Sequence, residues 1–290
     1  MEETNTHDIK QIKKFTFDKN NKIDFFSGDI NKYFYLFPTM IKIKILENTQ
    51  NMSYSQIISL IEEQEIKIFC NGCTIFRIEL GFFTKLYGFV QKKNKISILV
   101  DFKMFLSNII FNLYHNYPYF LIDCDFTKYG LNLELGMKIE IIETKTNIPK
   151  HMFLQNIQTH RANTNNQPIV NITLNHSFIT KGFFISGNLD SISNLKLTLN
   201  GYDRFDYNEI LLQTICIKIN DGLFYIPLDI NEAYDTCTEL SYKSSLNLSR
   251  IDCVKFIFEF KNTPTTLGIY SLSGNYLKHY NGCTGLVFSN

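Results

Sequence analysis

The sequence lacks an excess of charge of either sign: 29 basic and 28 acidic residues leave a net charge of +1. No field follows that would attract nucleic acid or an anionic membrane surface, so direct nucleic-acid binding is not expected. It also lacks a run of about 18 apolar residues, which excludes an expected transmembrane helix. The opening stretch, Met1 to Lys14, has no apolar core of the signal-peptide kind, so synthesis in a reducing cytosol is expected. The seven cysteines (Cys70, Cys73, Cys124, Cys216, Cys237, Cys253 and Cys283) are odd in number and scattered, which reads as free buried thiols and not as a disulfide framework.

Catalytic signatures are missing as well. The chain has no glycine-rich phosphate loop, nucleophile elbow or HExxH motif. Its six histidines (His7, His115, His151, His160, His176 and His279) are dispersed, without the H-x-H and following carboxylate of a cupin metal site. Cys70-x-x-Cys73 has no second ligand pair and brackets Asn71-Gly72, so it reads as a hairpin turn before a zinc half-site. Asp123 and Asp125 read as a solvated turn, and Asp203 with Arg204 as a surface ion pair. No enzyme activity, cofactor or metal is therefore expected.

What the sequence has is β-forming material: 26 Phe, 16 Tyr and no Trp, within 44% hydrophobic residues. Strict alternation recurs at Ile41–Ile45, Leu131–Leu135 and Leu195–Leu199, and most clearly at Val254–Phe260. There Phe256, Phe258 and Phe260 should face a core, with Ile257 on the other face. Asn71-Gly72, Asn200-Gly201 and Asp221-Gly222 mark turns, and the run around Lys92, Lys93 and Lys95 reads as a solvated hairpin loop. Helix is scarce. Ser55–Gln64 predicts a short one capped by Ser53 or Ser55, and Phe105–Leu113 is ambiguous between helix and buried strand.

Short strands with a turn every ten residues or so predict an all-β sandwich or barrel, and each side of the polar stretch Arg161–Pro168 holds enough chain for an eight-stranded antiparallel jelly roll. The expected division is a polar arm over 1–20, a first jelly roll over 21–162 and a second over 163–290. The polar stretch Arg161–Pro168 serves as the joint, and no repeat between the halves is evident.

The last hundred residues carry a more specific pattern. Leu199-Asn200-Gly201-Tyr202-Asp203-Arg204-Phe205 is followed by Tyr225-Ile226-Pro227-Leu228 and then by Leu246-Asn247-Leu248-Ser249-Arg250-Ile251-Asp252. The chain closes on Asn275-Tyr276-Leu277 and Gly285-Leu286-Val287-Phe288-Ser289-Asn290. In order and spacing this resembles the major capsid proteins of nucleocytoplasmic large DNA viruses, over about residues 150–290. The resemblance implies a double jelly roll that forms trimeric, pseudo-hexagonal capsomers of an icosahedral shell. Its partners would be identical copies, neighbouring capsomers, minor capsid proteins and an inner membrane, and Ile257, off the core face, would be a candidate for the contact between copies. A minor capsid or scaffold-like paralogue is the alternative, and a carbohydrate-binding sandwich or a cupin-like enzyme are more distant ones. The motif residues Asn200, Gly201, Asp203, Arg204, Asn247, Ser249, Arg250, Asp252, Gly285 and Ser289 are expected to be structural. Arg250 and Asp252, two apart, would share a strand face at the mouth of the sandwich and pair there; otherwise the strand starts after Asp252 and both are solvated.

Overall fold

The computed structural model describes residues 9–25, 33–106, 109–112, 117–123, 126–144, 149–230, 234, 242–280 and 283–287. They form two compact units, Met1–Leu154 with Tyr276–Ser289, and Gln155–Asn275. The first contains strands β1 (Ile9–Thr16), β2 (Lys22–Asp24), β3 (Tyr33–Asn48), β4 (Glu65–Cys70), β5 (Cys73–Glu79), β6 (Phe89–Lys92), β7 (Lys95–Val100), β8 (Phe111–Asn112), β9 (Tyr119–Asp123) and β10 (Leu131–Glu143). One of its sheets runs β1-β10-β3-β7-β6, with β8 beside β3, and the other runs β2-β9-β4-β5.

The remaining strands are β11 (His151–Asn163), β12 (Ile169–Leu174), β13 (Ile179–Ser186), β14 (Ile192–Leu199), β15 (Tyr202–Asn208), β16 (Ile217–Asn220), β17 (Leu223–Pro227), β18 (Leu246–Asn247), β19 (Val254–Phe260), β20 (Thr266–Tyr280) and β21 (Cys283–Leu286). Their sheets run β11-β20-β13-β17-β16, with β18 beside β13 and β21 beside β20, and β12-β19-β14-β15. β11 and β20 each hold residues of both units.

The two units share one plan. If the eight main strands of each are counted in chain order, one sheet joins the first, eighth, third and sixth, and the other joins the second, seventh, fourth and fifth. That is the order of an eight-stranded jelly roll. Additions coincide too. After the fifth strand comes a helix, α2 (Leu80–Tyr87) or α4 (Glu209–Ile215), and then an extra edge strand, β6 or β16.

The repeat reaches single residues. Asn71-Gly72 and Asn200-Gly201 turn the fourth strand into the fifth, with φ of 50° and 76° in one unit and 50° and 85° in the other. These left-handed values suit Asn-Gly in a tight hairpin. Both hairpins carry a register shift at the same place, after Ile68 and after Leu197. Counted from the turns, Lys67 corresponds to Lys196, Phe76 to Phe205 and Phe83 to Leu212. Both phenylalanines and both helix residues are buried. The repeat escapes a plain reading because its core positions demand only apolarity, so few identities survive.

Several expectations change. The polar stretch Arg161–Pro168 is not a joint: it ends β11 and turns into β12, with Asn165 and Asn166 at positive φ. Its polarity marks a tight turn. Residues 1–8 lie outside the described set, but Ile9–Thr16 is no arm: all eight residues pair with β10, from Ile9–Glu143 to Thr16–Gly136. A sheet-edge strand stays half-solvated, which is why it reads as polar. The helix in the Ser55–Gln64 region is α1 (Tyr54–Glu62), and Ser53 and Gln56 close a capping box at its start. The ambiguous Phe105 region is a helical turn, α3 (Lys103–Leu106), followed by β8.

Burial explains the cores. In β3, Ile41, Ile43 and Ile45 point inward while Lys42 is exposed. Rings fill the first unit: Phe25 meets Phe120 at 5.1 Å, Phe120 meets Phe102 at 5.3 Å, and Phe76 meets Phe105 at 5.3 Å between centroids. In the second unit Phe256, Phe258 and Phe260 face the core as the alternation predicts, with Phe256 edge-on to Phe183 at 5.0 Å. Each such side chain contributes roughly 1.5–3 kcal/mol by burial.

Candidate functional site

The motif residues are best judged by what they hold. Asn200 sits at the tip of the β14–β15 hairpin and ties it to the start of β19. Its N–H donates to the Cys253 carbonyl (2.8 Å), and its Oδ1 accepts from the Cys253 N–H (2.9 Å). Gly201 completes the turn. Asp203 does not pair with Arg204: its carboxylate accepts from Lys196 Nζ at 2.8 Å, and Asp206 flanks the same amine at 3.4 Å. The Asp203 hydrogen bond raises the Lys196 pKa above its ordinary value. Arg204 occupies the register shift, skipped between the Leu197–Phe205 and Thr198–Asp203 pairs, and is exposed.

The second motif is a plug. Leu246-Asn247 pairs with Thr180-Ile179 of β13, and then a single 3-10 turn covers Leu248–Arg250. Asn247 Oδ1 caps it, accepting from Ser249 N (3.2 Å) and from Ser249 Oγ (2.6 Å). The turn drives Leu248 into the core, where it is 2% exposed, and packs Ile251 against the same cluster. Strand β19 begins at Val254, so Arg250 and Asp252 share no strand face; both are exposed beyond its start. The mouth pairing is therefore corrected to the solvated alternative. The Asn247–Ser249 capping bonds hold Leu248–Arg250 in a 3-10 turn, and the strand starts later than alternation alone suggests.

At the chain's end, β21 pairs with β20 through Leu277–Leu286 and Lys278–Gly285. A Cβ on Gly285 would meet nothing within 4 Å, so space does not require glycine there. Ser289 lies outside the described residues, as do Cys124, Asp125, His7, His115 and Cys237. Ile257 is half-buried on the outer face of its sheet, level with Asn171 and Lys196. That polar setting is unlike an apolar contact.

The arrangement offers little chemistry. Among the described residues no three His, Cys, Asp or Glu side chains gather as metal ligands. Cys70 and Cys216 are free and buried as expected, whereas Cys73 and Cys253 are free and exposed. Burial pushes the Cys216 thiol up to about 12, far from a nucleophilic thiolate. His176 is buried with Nδ1 against Ser271 Oγ, and its pKa falls to about 4, first through burial and then through the charge of His160. An open depression of about 590 Å³ lies between the Asp18–Asn21 turn and the start of β10. Asp18 is already engaged there, accepting from the N–H groups of Asn20 and Lys22, and the lining ring, Phe126, is buried. What stands out is exposed apolar surface. Among the described residues, seven of the fifteen exposed large hydrophobics fall between the hairpin tips and the sixth strands: Tyr87, Phe89, Val90, Tyr202, Ile210, Leu211 and Ile217. Sequence reasoning missed them, although Phe89-Val90 beside a lysine-rich turn was the available signal.

Two eight-stranded sandwiches of one strand order, each with an added helix and edge strand, define a double jelly-roll protein. No family model and no curated protein sequence matches the chain. Solved structures do. The PBCV-1 virus capsid is similar with a TM-score of 0.65 and 13% identity, over 98% of both chains. The Faustovirus major capsid protein is similar with a TM-score of 0.52 and 7% identity, over 97% of this chain and 92% of its own. A chain of the Sulfolobus turreted icosahedral virus gives 0.54 and 9%, over 92% and 90%. At such identity the likeness is one of fold, and it extends over the first 150 residues, where no motif pointed to it.

Proposed function

We propose that the chain is a structural virion protein, a major-capsid-like subunit that forms trimeric, pseudo-hexagonal capsomers of an icosahedral shell. The observation that carries this reading is the shared fold with the PBCV-1 capsid over 98% of both chains, reached independently of the C-terminal motifs. Those motifs act as structural fasteners: Asn200 ties a hairpin to β19, and Asn247 caps the turn that seats Leu248. A subunit that works by assembly needs rigid walls and complementary flanks, and no catalytic step is assigned to it. Its partners on this reading are identical copies, neighbouring capsomers and minor capsid proteins, with an inner membrane beneath. It acts in the virion after synthesis in the host cytoplasm. Size-exclusion chromatography with light scattering tests the reading. A trimer or a larger shell is expected; a stable monomer at concentrations well above micromolar would overturn it.

A further inference from the structure

The duplicated segments after the two Asn-Gly turns differ in charge. Residues 73–95 hold five basic residues and one acidic, a net charge of +4, whereas the equivalent residues 202–224 hold two basic and four acidic, a net charge of −2. Each segment ends its sheet, because β6 and β16 close their strand orders. All four residues of β6 are exposed, with Val90 at 67% and Phe89 at 41%, and Ile210 of α4 is 75% exposed. Lys92, Lys93 and Lys95 are exposed around the β6–β7 turn, and among the described residues no carboxylate pairs with them. In the other unit, the Asp221 side chain at the β16–β17 turn is 95% exposed and carries an ion pair with Lys218 at 3.1 Å, and Glu209 of α4 pairs with Lys261.

An exposed edge strand invites pairing with another chain, and proteins that must stay single blunt such edges. Here lysines border one edge and aspartates the other. Two copies of the basic edge would repel each other, while a basic and an acidic edge attract. We infer that the β5–α2–β6–β7 edge of one copy docks against the β15–α4–β16–β17 edge of a second copy, with Phe89, Val90, Ile210 and Ile217 at the apolar centre and Lys92, Lys93 and Asp221 at the rim. This contact is head-to-tail, so repeating it generates a ring that closes when the rotation allows. The inference rests on the capsomer reading and names the surface through which the capsomer forms.

Charge reversal tests it on the full chain, followed by sedimentation equilibrium. Lys92→Glu with Lys93→Glu is expected to raise the trimer dissociation constant at least tenfold, and so is Glu209→Lys with Asp221→Lys. All four changes in one chain restore complementarity and should recover the trimer, which a merely structural role would not do. Should a reversed chain fail to fold, Gln91→Cys with Lys218→Cys in one chain provides the second measurement. Oxidation should then link copies covalently, and a ladder that does not form overturns the pairing. Trimers indifferent to every reversal overturn the pairing and leave the capsomer reading standing. A monomeric unmodified chain overturns both.

Discussion

Gly182 of β13 lies directly beneath the ring of Tyr225 in β17. A Cβ at position 182 would fall within contact distance of the phenol, so only a bare backbone admits that ring. Strand register explains the fit: Gly182 pairs with Pro227 and Phe184 with Tyr225, so the tyrosine leans diagonally across the neighbouring strand. Tyr225 in turn packs on Phe184 (4.8 Å) and Tyr234 (5.7 Å), an aromatic layer on the face of the sheet opposite Phe183 and Ile185.

Gly182→Ala should therefore destabilise the second unit by overpacking, by roughly 1–3 kcal/mol. Denaturant unfolding of Gly182→Ala, Tyr225→Ala and the double variant checks it. The two effects must be non-additive, since the alanine methyl costs little once the ring is gone. Additive losses would show that the two residues do not meet.

Asn200→Ala removes the acceptor of the Cys253 N–H and places alanine at positive φ. A loss of about 1–3 kcal/mol is expected from an abandoned hydrogen bond together with backbone strain. Asn200→Gly keeps the backbone freedom and loses only the side-chain bond, so it should lie between wild type and alanine. A melting series that ranks glycine below alanine would contradict this account.

Strands with one wet face and one dry face were legible in the sequence. The Val254–Phe260 alternation fixed its own inward face, and Asn-Gly located both hairpins. Elements whose environment departs from that pattern were not. β1 sits at a sheet edge and reads as polar, while Leu80-Gly81-Phe82-Phe83 in α2 are all buried and show no polar face to mark a helix. The Leu246–Asp252 motif was recognised as a string, but its reason, a capped 3-10 turn seating Leu248, depends on bonds that periodicity does not encode. The charge contrast between the two edges becomes visible only after the repeat aligns them.

Phe258→Ala tests the core of the second unit. Phe258 is fully buried and stacks between Phe256 (5.7 Å) and Phe260 (5.6 Å). Truncating it should cost about 3–5 kcal/mol through lost burial and a residual cavity. Phe258→Leu, which leaves a smaller void, should cost less. Equal melting temperatures for wild type and the alanine variant would show that the ring is not in the core.

His176 gives the second unit a pH dependence whose sign is set by burial. The folded-state pKa is about 4, against about 6.5 for an unhindered imidazole. The fold thus prefers neutral His176, and between those two values the unfolded chain binds more protons. Stability is fully present above about pH 6.5 and declines as the pH falls towards 4, where the folded form also takes up a proton. Linkage puts the loss between pH 7 and pH 5 at about 2 kcal/mol from this residue. His160, the neighbouring charge, lowers the His176 pKa further, so His160→Gln should reduce the effect without removing it. Urea unfolding at pH 7 and pH 5 measures the slope, and His176→Gln should flatten it. The same pH slope in wild type and His176→Gln would place the sensitivity elsewhere. Ser271 of β20, whose hydroxyl meets His176 Nδ1, supplies a further control. Ser271→Ala removes the hydroxyl and leaves the burial, so it should shift overall stability while the pH slope persists.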